Sequence, residues 1–477
     1  MKKIKILNVL TTGILFYLTG IFISILIPLK IIPSKYLTLI AIIYGLILGI
    51  IFIITIEKKK LKKLRILIMT LSLIIISFLG AGLYYLNSTI KFMNQIQSKD
   101  YQIEEYYVVV LKKNPYQTLS DIENKTIAIY QNNIENYLKS FNHLKKEISL
   151  STKEYSNYQD ACNALLSKEI DSIYISSSYK AIADEEIKNF KENTRILKKK
   201  QLKIETQTVR ANKQDITTKS FNIYISGIDI AGDISQVSRS DVNMLVTVNP
   251  TTHKILLTSI PRDYYVRLHG TTGYKDKLTH SGIYGIDMTI NTVEDLLDTN
   301  IDYYVRVNFT TLINVVDAIG GIDVYSDKAF RAWTNSSCSY QVGMMHLDGK
   351  CALAFARERY AYQEGDRHRI KNQQDVVIAI LNKILSSKTL ITKYSSILKS
   401  FSNSFQTNIP TTSIYELVNM QLNSMPSWNI EQIRLDGYNS SNYTYSYAGQ
   451  HLYVMEPNQA TIDNAKQRIT EIKSNNN

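Results

Sequence analysis

The chain opens on three long apolar runs and then changes period. Residues 6–29, 36–56 and 66–86 contain no charged side chain. At 1.5 Å per helical residue, each is long enough to cross a hydrocarbon core of about 30 Å. In lipid every backbone polar group must be paired within its own segment, so the runs are expected as membrane-spanning helices. As buried core helices they would need a large protein around them, and a cleaved leader fits poorly, because the first run is long and two more follow.

Residues 87 to about 100 read as a polar connector. Beyond it, strand-like and helix-like stretches alternate. "YYVVVL", "TIAIY", "EISLS" and "SIYIS" have strand character. "NIENYLKSFNHLKK" places Ile134, Tyr137, Leu138 and Phe141 on one side of a helix, and "YQDACNALLSKEI" and "AIADEEIKNF" read as two more. A polar stretch, "RANKQDITTKS", separates this part from a second alternating region. There "FNIYISGID", "NMLVTVNP", "KILLTSIPRDYYV" and "DYYVRVNF" read as strands, and "GIDMTINTVEDLLDT", "TTLINVVDAIG", "GKCALAFAR" and "IKNQQDVVIAILNKIL" as helices. The pattern predicts four parts: a membrane anchor over 1–90, a small α/β accessory domain over 98–209, a larger α/β domain over 215–390, and 391–477 as the end of that domain or a tail. For the larger domain, alternation predicts a mostly parallel sheet with helices on both faces, an α-β-α sandwich.

Net charge changes this picture only in its location. Of the +13 total, residues 1–65 carry eleven Lys or Arg against the single acid Glu57, so +10 lies there and +3 remains for the rest. "EKKKLKKLR", between the second and third runs, sits at a membrane surface and not on nucleic acid. The positive-inside rule puts it and the N-terminus in the cytoplasm, and three crossings place everything after about residue 87 outside. The cytoplasmic pieces are then too short to fold as a DNA-binding unit. Cys338 and Cys351 are close enough in sequence to close a small disulfide loop in an exported region, with Cys162 left single.

Candidate chemistry concentrates in three loops of the larger domain. "SGIDIAGDISQVSRSDVNML" holds Asp229, Asp233, Arg239 and Asp241; "SIPRDYYV" holds Arg262 and Asp263. "LDGKCALAFARERYAYQEGDRHRIKNQQDVVIAIL" holds Arg357, Arg359, Arg367 and Arg369 around Glu364 and Asp366. Ligands of open α/β sheets lie where strand ends meet loops. Arginine forks match phosphate oxygens, and several together suit a ligand with more than one negative charge, such as a pyrophosphate. Aspartates among them call for a cation, and magnesium takes carboxylate plus phosphate oxygens. Phosphoryl transfer needs positioning and charge neutralisation more than a protein nucleophile. On composition alone, solvated surface ion pairs stay open as the plainer alternative. His280 in "KLTHSG" reads as a structural hydrogen-bonder.

These loops, together with "KLTHSGIYG" and "VRVNFTTLINVVDAIGGIDV", occur in the order and spacing of the LytR-CpsA-Psr family, which residues 221–385 closely resemble. The resemblance implies an enzyme that moves a glycopolymer (capsular polysaccharide or a teichoic-acid-like polymer) from undecaprenyl pyrophosphate to peptidoglycan, with magnesium, or manganese in its place, as cofactor. It implies partners in the lipid-linked glycan, peptidoglycan, the membrane and other capsule-biosynthesis proteins, and no nucleic acid. By the same resemblance Asp229 and Asp241 match metal-binding aspartates. Arg239, Arg262, Arg357, Arg359 and Arg369 match pyrophosphate-binding arginines, with Asp366 and Gln373 beside the phosphates and Lys277 near the head group. Asn372 departs from a position where many members carry Arg. The helix faces around Ile290, Val293, Leu297, Leu312 and Val316 are expected to enclose the prenyl chain. Three rival readings stay open: a hydrolase of prenyl pyrophosphates, a membrane-anchored regulator of capsule genes, and a non-catalytic carrier.

Overall fold

The computed structural model describes residues 2–29, 34–57, 62–97, 101–131, 135–205, 214–228, 233–386 and 405–474. Three helices, α1 (Lys2–Leu29), α2 (Ser34–Ile56) and α3 (Lys62–Ile96), are long and apolar enough to cross a membrane. Leu15, Ile51, Ile68 and Leu79 fill their common seam. Polar side chains meet across it: Asn8 Nδ2 donates to Thr55 Oγ1 at 3.3 Å, and Thr19 Oγ1 lies 2.8 Å from Tyr44 Oη. Such pairs hold helices together where the hydrophobic effect offers no preference. The connector expected over 87–100 is instead helical to Ile96, because Met93 and Ile96 recur at helical spacing and are buried. Gln97 then donates to Ile409 O at 2.9 Å, tying the anchor to the C-terminal domain.

The accessory domain contains β1 (Tyr101–Leu111), β2 (Thr126–Tyr130), α4 (Glu135–Lys145), β3 (Ser151–Tyr155), α5 (Tyr158–Leu166), β4 (Ser172–Ser176), α6 (Ser177–Glu186) and β5 (Thr194–Glu205). Its sheet order is β3-β2-β4-β1-β5, with β2 parallel to both neighbours and β1 antiparallel to both of its own. The pattern gave no sign of β5. "TRILKKKQLKIE" is lysine-rich because it is an edge strand, where charge discourages pairing with another chain.

The C-terminal domain begins with β6 (Phe221–Ile228), β7 (Val242–Asn249) and β8 (Lys254–Ile260). Then come α7 (Ile286–Leu297), β9 (Tyr303–Asn308), α8 (Phe309–Ala318), β10 (Ile322–Ser326), β11 (Gly343–Leu347), α9 (Gly349–Arg357) and α10 (Asp366–Leu385). Residues 405–474 supply β12 (Phe405–Thr407), α11 (Thr411–Ser424), β13 (Asn429–Arg434), the hairpin β14 (Gly437–Thr444) and β15 (Tyr447–Pro457), and α12 (Gln459–Ser474). The central sheet runs β12-β9-β6-β7-β8-β13. Only β9/β6 and β8/β13 are parallel; the other three pairs are antiparallel, so the sheet is mixed and not mostly parallel. The cause is local: the turn at 250–253 is too short for a crossover, and a tight turn joins only antiparallel strands.

Alternate residues of β7 and β8 face opposite layers. Met244, Val246, Val248, Ile255 and Leu257 pack toward α10 and α11, while Leu245, Leu256 and Ile260 pack toward α7 and α12. Helices therefore cover both faces of the sheet. α8, α9 and the β10/β11 pair form a further cluster, in which Cys338 and Cys351 are joined by a disulfide with Cα atoms 5.4 Å apart. Cys162 is free and buried. The two domains are tied by main-chain bonds from Ile103 N to Ser235 O (2.9 Å) and from Val237 N to Ile103 O (2.8 Å). The β14–β15 hairpin also bridges them: Tyr447 and Leu452 lie in the accessory core, and Met455 in the C-terminal core.

Candidate functional site

At the end of the sheet where β6, β8 and β9 finish, a cavity of about 540 Å³ is lined by Arg239, Arg262, Arg357, Arg359, Arg369 and Lys191 on the cationic side. Asp184, Glu185 and Asp241 are its carboxylates, and Gln373, Phe309, Trp333 and Tyr360 also form its walls. Three loops distant in sequence meet here.

The first follows β6. Its end is held from inside the sheet: Arg306, buried on β9, donates from Nη1 to Ile234 O at 3.0 Å and from Nη2 to Gln236 O at 2.8 Å. Burial lowers the pKa of Arg306 to about 10. Gly282 lies flat against the same loop, and a Cβ there would come within 2.5 Å of Ser238 O. Hence the "THSG" turn requires glycine at a close backbone approach. These supports aim Arg239 and Asp241 into the cavity. Asp229 lies outside the described residues.

Arg262 follows β8 and is the centre of the charge network. Its Nη1 donates to Asp241 Oδ1 at 2.9 Å, its Nη2 to Glu185 Oε1 at 2.6 Å, and its Nε lies 3.5 Å from Asp263 Oδ2. Thr279 Oγ1 donates to Asp241 Oδ1 at 3.1 Å. Burial works against the charged form of Arg262, but Asp241, Asp263 and Glu185 outweigh it and raise its pKa.

The third group comes from α9, α10 and the loop between them. Arg357 stacks over Phe309 with its guanidinium 4.2 Å from the ring centroid; Arg359 stacks over Tyr360 at 5.0 Å and donates to Tyr360 Oη at 3.0 Å. Glu358, 1% exposed between these arginines, organises the loop. Its Oε1 accepts from the backbone N–H of Arg359 (3.0 Å), Tyr360 (2.8 Å) and Ala361 (3.1 Å), and its Oε2 from Trp333 N (2.8 Å). Arg369 and Gln373 lie one turn apart on α10. Arg369 Nη2 is 2.6 Å from Asp366 Oδ1, and burial lowers its pKa. Arg369 Nε is buried without a hydrogen-bond partner, and Arg262 Nε has only its 3.5 Å ion-pair contact with Asp263. A cavity walled by guanidiniums with donors left over is built for an anion.

Several expected residues lie elsewhere. Lys277 is buried and pairs with Glu186 at 2.9 Å, with Asp263 Oδ1 3.6 Å away, outside the cavity wall. Asp366 acts through Arg369. Arg367 turns away to Asp436 at 2.7 Å. Asn372 is fully buried and donates to Phe355 O at 3.1 Å, so an inward-facing polar side chain stands there and not a cavity residue. His280 is locked against Asp276 at 2.7 Å in the interior. The expected prenyl-facing set does not form one surface. Ile290, Val293 and Leu297 are covered by α12 through Ile462, Ala465, Ile469 and Ile472, whereas Val316 and Leu312 belong to the α8–α9 cluster. An amphipathic stripe marks burial without naming what covers it. Glu185, Glu358 and Arg306 escaped the sequence reading. Glu358 had one visible signal, an acid set between two arginines; the other two had none.

The site defines a class before it defines a member: an arginine-walled anion cavity at the loop end of a helix-covered mixed sheet, on a membrane-anchored chain. The model of the LytR_cpsA_psr family matches residues 179–464, and the chain belongs to that family. A second model, for a DNA polymerase processivity factor, matches residues 62–175, beginning at the first residue of the third apolar helix. Among similar proteins, a Bacillus cereus protein named polyisoprenyl-teichoic acid–peptidoglycan teichoic acid transferase TagU is 31% identical over 243 residues, 51% of this chain and 76% of that one. Biofilm regulatory protein A of Streptococcus mutans is 38% identical over 210 residues, 41% of this chain and 51% of that one. Among solved structures, Bacillus subtilis TagV is 30% identical and covers 54% of this chain and 97% of its own, with a TM-score of 0.46.

Proposed function

We propose that the protein transfers a glycopolymer phosphate from a polyprenyl-diphosphate carrier to a peptidoglycan hydroxyl. The observation that carries this reading is the convergence of Arg239, Arg262, Arg357, Arg359 and Arg369 on one cavity, with the buried Nε–H of Arg369 still without a hydrogen-bond partner. Two phosphates, one bearing the glycan and one the prenyl chain, suit cations presented from two sides. The acceptor oxygen gives up its proton to water and forms a bond to the glycan-side phosphorus, the bond from that phosphorus to the bridging oxygen breaks, and prenyl phosphate leaves with the electron pair. The arginines supply charge stabilisation where the leaving oxygen becomes anionic.

Among the described residues no three His, Cys, Asp or Glu side chains gather as a closed metal site. Asp241 nevertheless brings a carboxylate to the cavity wall, and one or two carboxylates plus phosphate oxygens are the donor set magnesium takes. Asp241 would hold the ion together with Asp229, and bound magnesium, or manganese, would neutralise charge on the diphosphate. Trp333 and Tyr360, in ring contact at 5.0 Å and largely exposed at the cavity mouth, offer an apolar platform to the first sugar. For the prenyl chain, the half-buried Val377, Ile378 and Leu381 of α10, packed against the same core as Ile223, Ile225 and Val305 of the sheet, offer apolar surface. The basic N-terminal loops and the disulfide support a cavity on the outer side of the membrane.

The test uses the full-length protein in detergent with a prenyl-diphosphate glycan and magnesium, with and without peptidoglycan fragments, and identifies products by mass spectrometry. A glycan-phosphate-peptidoglycan adduct is expected. Arg262→Ala should lower kcat/KM by about 10²–10³, the loss typical of removing one charge-stabilising donor. Free phosphoglycan regardless of acceptor would replace the reading with a hydrolase, and undiminished transfer by Arg262→Ala would remove the arginines from the mechanism.

A further inference from the structure

The accessory domain reaches into the arginine cavity. α6 starts where β4 ends: Ser176 Oγ caps it by accepting from Tyr179 N at 3.2 Å, and buried Ile182 and Ala183 fix its roll. This aims its last residues, Glu185 and Glu186, at the C-terminal domain. Glu185 Oε1 accepts from Arg262 Nη2 at 2.6 Å and Oε2 from Arg239 Nη1. Glu186 Oε1 accepts from Lys277 Nζ at 2.9 Å, and Gln450 Nε2 donates to Glu186 O at 3.3 Å. The bridging hairpin and the Ile103 main-chain bonds keep the helix end in place. The Glu185 side chain is 38% exposed, so it can rotate into solvent without disturbing either core.

Arg239 and Arg262 are two of the five arginines that line the cavity. A guanidinium fork takes carboxylate or phosphate oxygens in the same geometry, and one fork cannot serve both fully at once. Tethering gives Glu185 a high effective concentration at its partners, millimolar or more for a short link. Any ligand that uses these two forks must displace it.

We infer that Glu185 is a specificity-determining residue: a resident carboxylate that keeps free phosphate-bearing anions off Arg239 and Arg262 and yields to a ligand held also by Arg357, Arg359 and Arg369 and by a lipid tail. The inference rests on the diphosphate reading of the cavity. Competition weakens every ligand by one factor, but the consequence for occupancy differs. A tenfold loss empties a site of an anion bound near its ambient concentration and leaves a far tighter ligand bound. The membrane anchor and the lipid tail give the carrier that advantage; a soluble anion has neither.

The test measures binding of inorganic pyrophosphate to the full-length protein in detergent by titration calorimetry. Glu185→Gln keeps the shape and removes the charge; Glu185→Asp keeps the charge and shortens the reach. Glu185→Gln should bind pyrophosphate about tenfold more tightly, the scale of one charge-assisted hydrogen bond, with Glu185→Asp in between. The gain should vanish when Arg262→Ala is added, and pyrophosphate should inhibit transfer by Glu185→Gln with an inhibition constant about tenfold lower. A purely structural role for Glu185 would weaken binding instead. Unchanged or weaker binding by Glu185→Gln, with binding still lost in Arg262→Ala, overturns this inference alone. Pyrophosphate binding that Arg262→Ala leaves untouched sinks the diphosphate reading beneath it.

Discussion

The Glu185 contact makes the joint between the two domains sensitive to acid, and the size of the effect follows from its surroundings. Burial alone would raise the carboxyl's pKa, but Arg262 and Arg239 outweigh it and bring it from 4.5 to about 2. At 1.36 kcal/mol per pH unit, that is a preference of ~3 kcal/mol for the ionised, docked form. The side chain is 38% exposed, so solvent screening reduces the contribution to about 1 kcal/mol. The folded pKa is depressed, so this stability is fully present above pH 4.5 and is lost as pH falls from there through about 2. Melting curves of the full-length protein in detergent, wild type against Glu185→Gln, isolate the term because every other carboxylate titrates in both. Wild type should melt about 2–4 °C higher at pH 7. The gap should narrow between pH 5 and pH 2 and close below that. A gap that stays constant over the whole range, or none at pH 7, would refute the ion pairing of Glu185 in the folded protein.

Two further outcomes are expected. Glu358→Gln puts an amide N–H₂ where the carboxylate accepts four backbone N–H groups, and should cost about 2–3 kcal/mol in thermal unfolding while weakening pyrophosphate binding, because the loop carrying Arg359 loses its centre. Trp333→Ala should raise KM for the glycan-bearing donor several-fold and leave the affinity for inorganic pyrophosphate unchanged; an equal effect on both would place Trp333 in the loop's structure and not at a sugar.

The sequence determined this protein's broad layout because the signals were local and strong. Uncharged runs long enough to span lipid have few other uses, and β6, β7, β8, β9, α7 and α10 announced themselves through periodicity. Arg239, Arg262 and Arg359 could be read because their motifs place them in loops, and Arg357 and Arg369 because they flank the third of these loops, at the end of α9 and in the first turn of α10. The lysine-rich β5 could not, since an edge strand shares its composition with a solvated tail. Sheet direction was misjudged for a related reason: alternating strand and helix patterns suggest crossovers, but the four-residue turn at 250–253 makes β7 and β8 antiparallel. The helix face at Ile290, Val293 and Leu297 was correctly apolar, yet only the packing of α12 decided that protein covers it. Glu185 shows the limit most sharply. It lies 77 residues from Arg262 in the chain, on another domain, in a stretch whose acids look like an ordinary solvated helix end. Composition and spacing reveal which side chains carry charge; only the fold brings a carboxylate and two guanidiniums within hydrogen-bond reach, where a surface acid becomes part of an anion site.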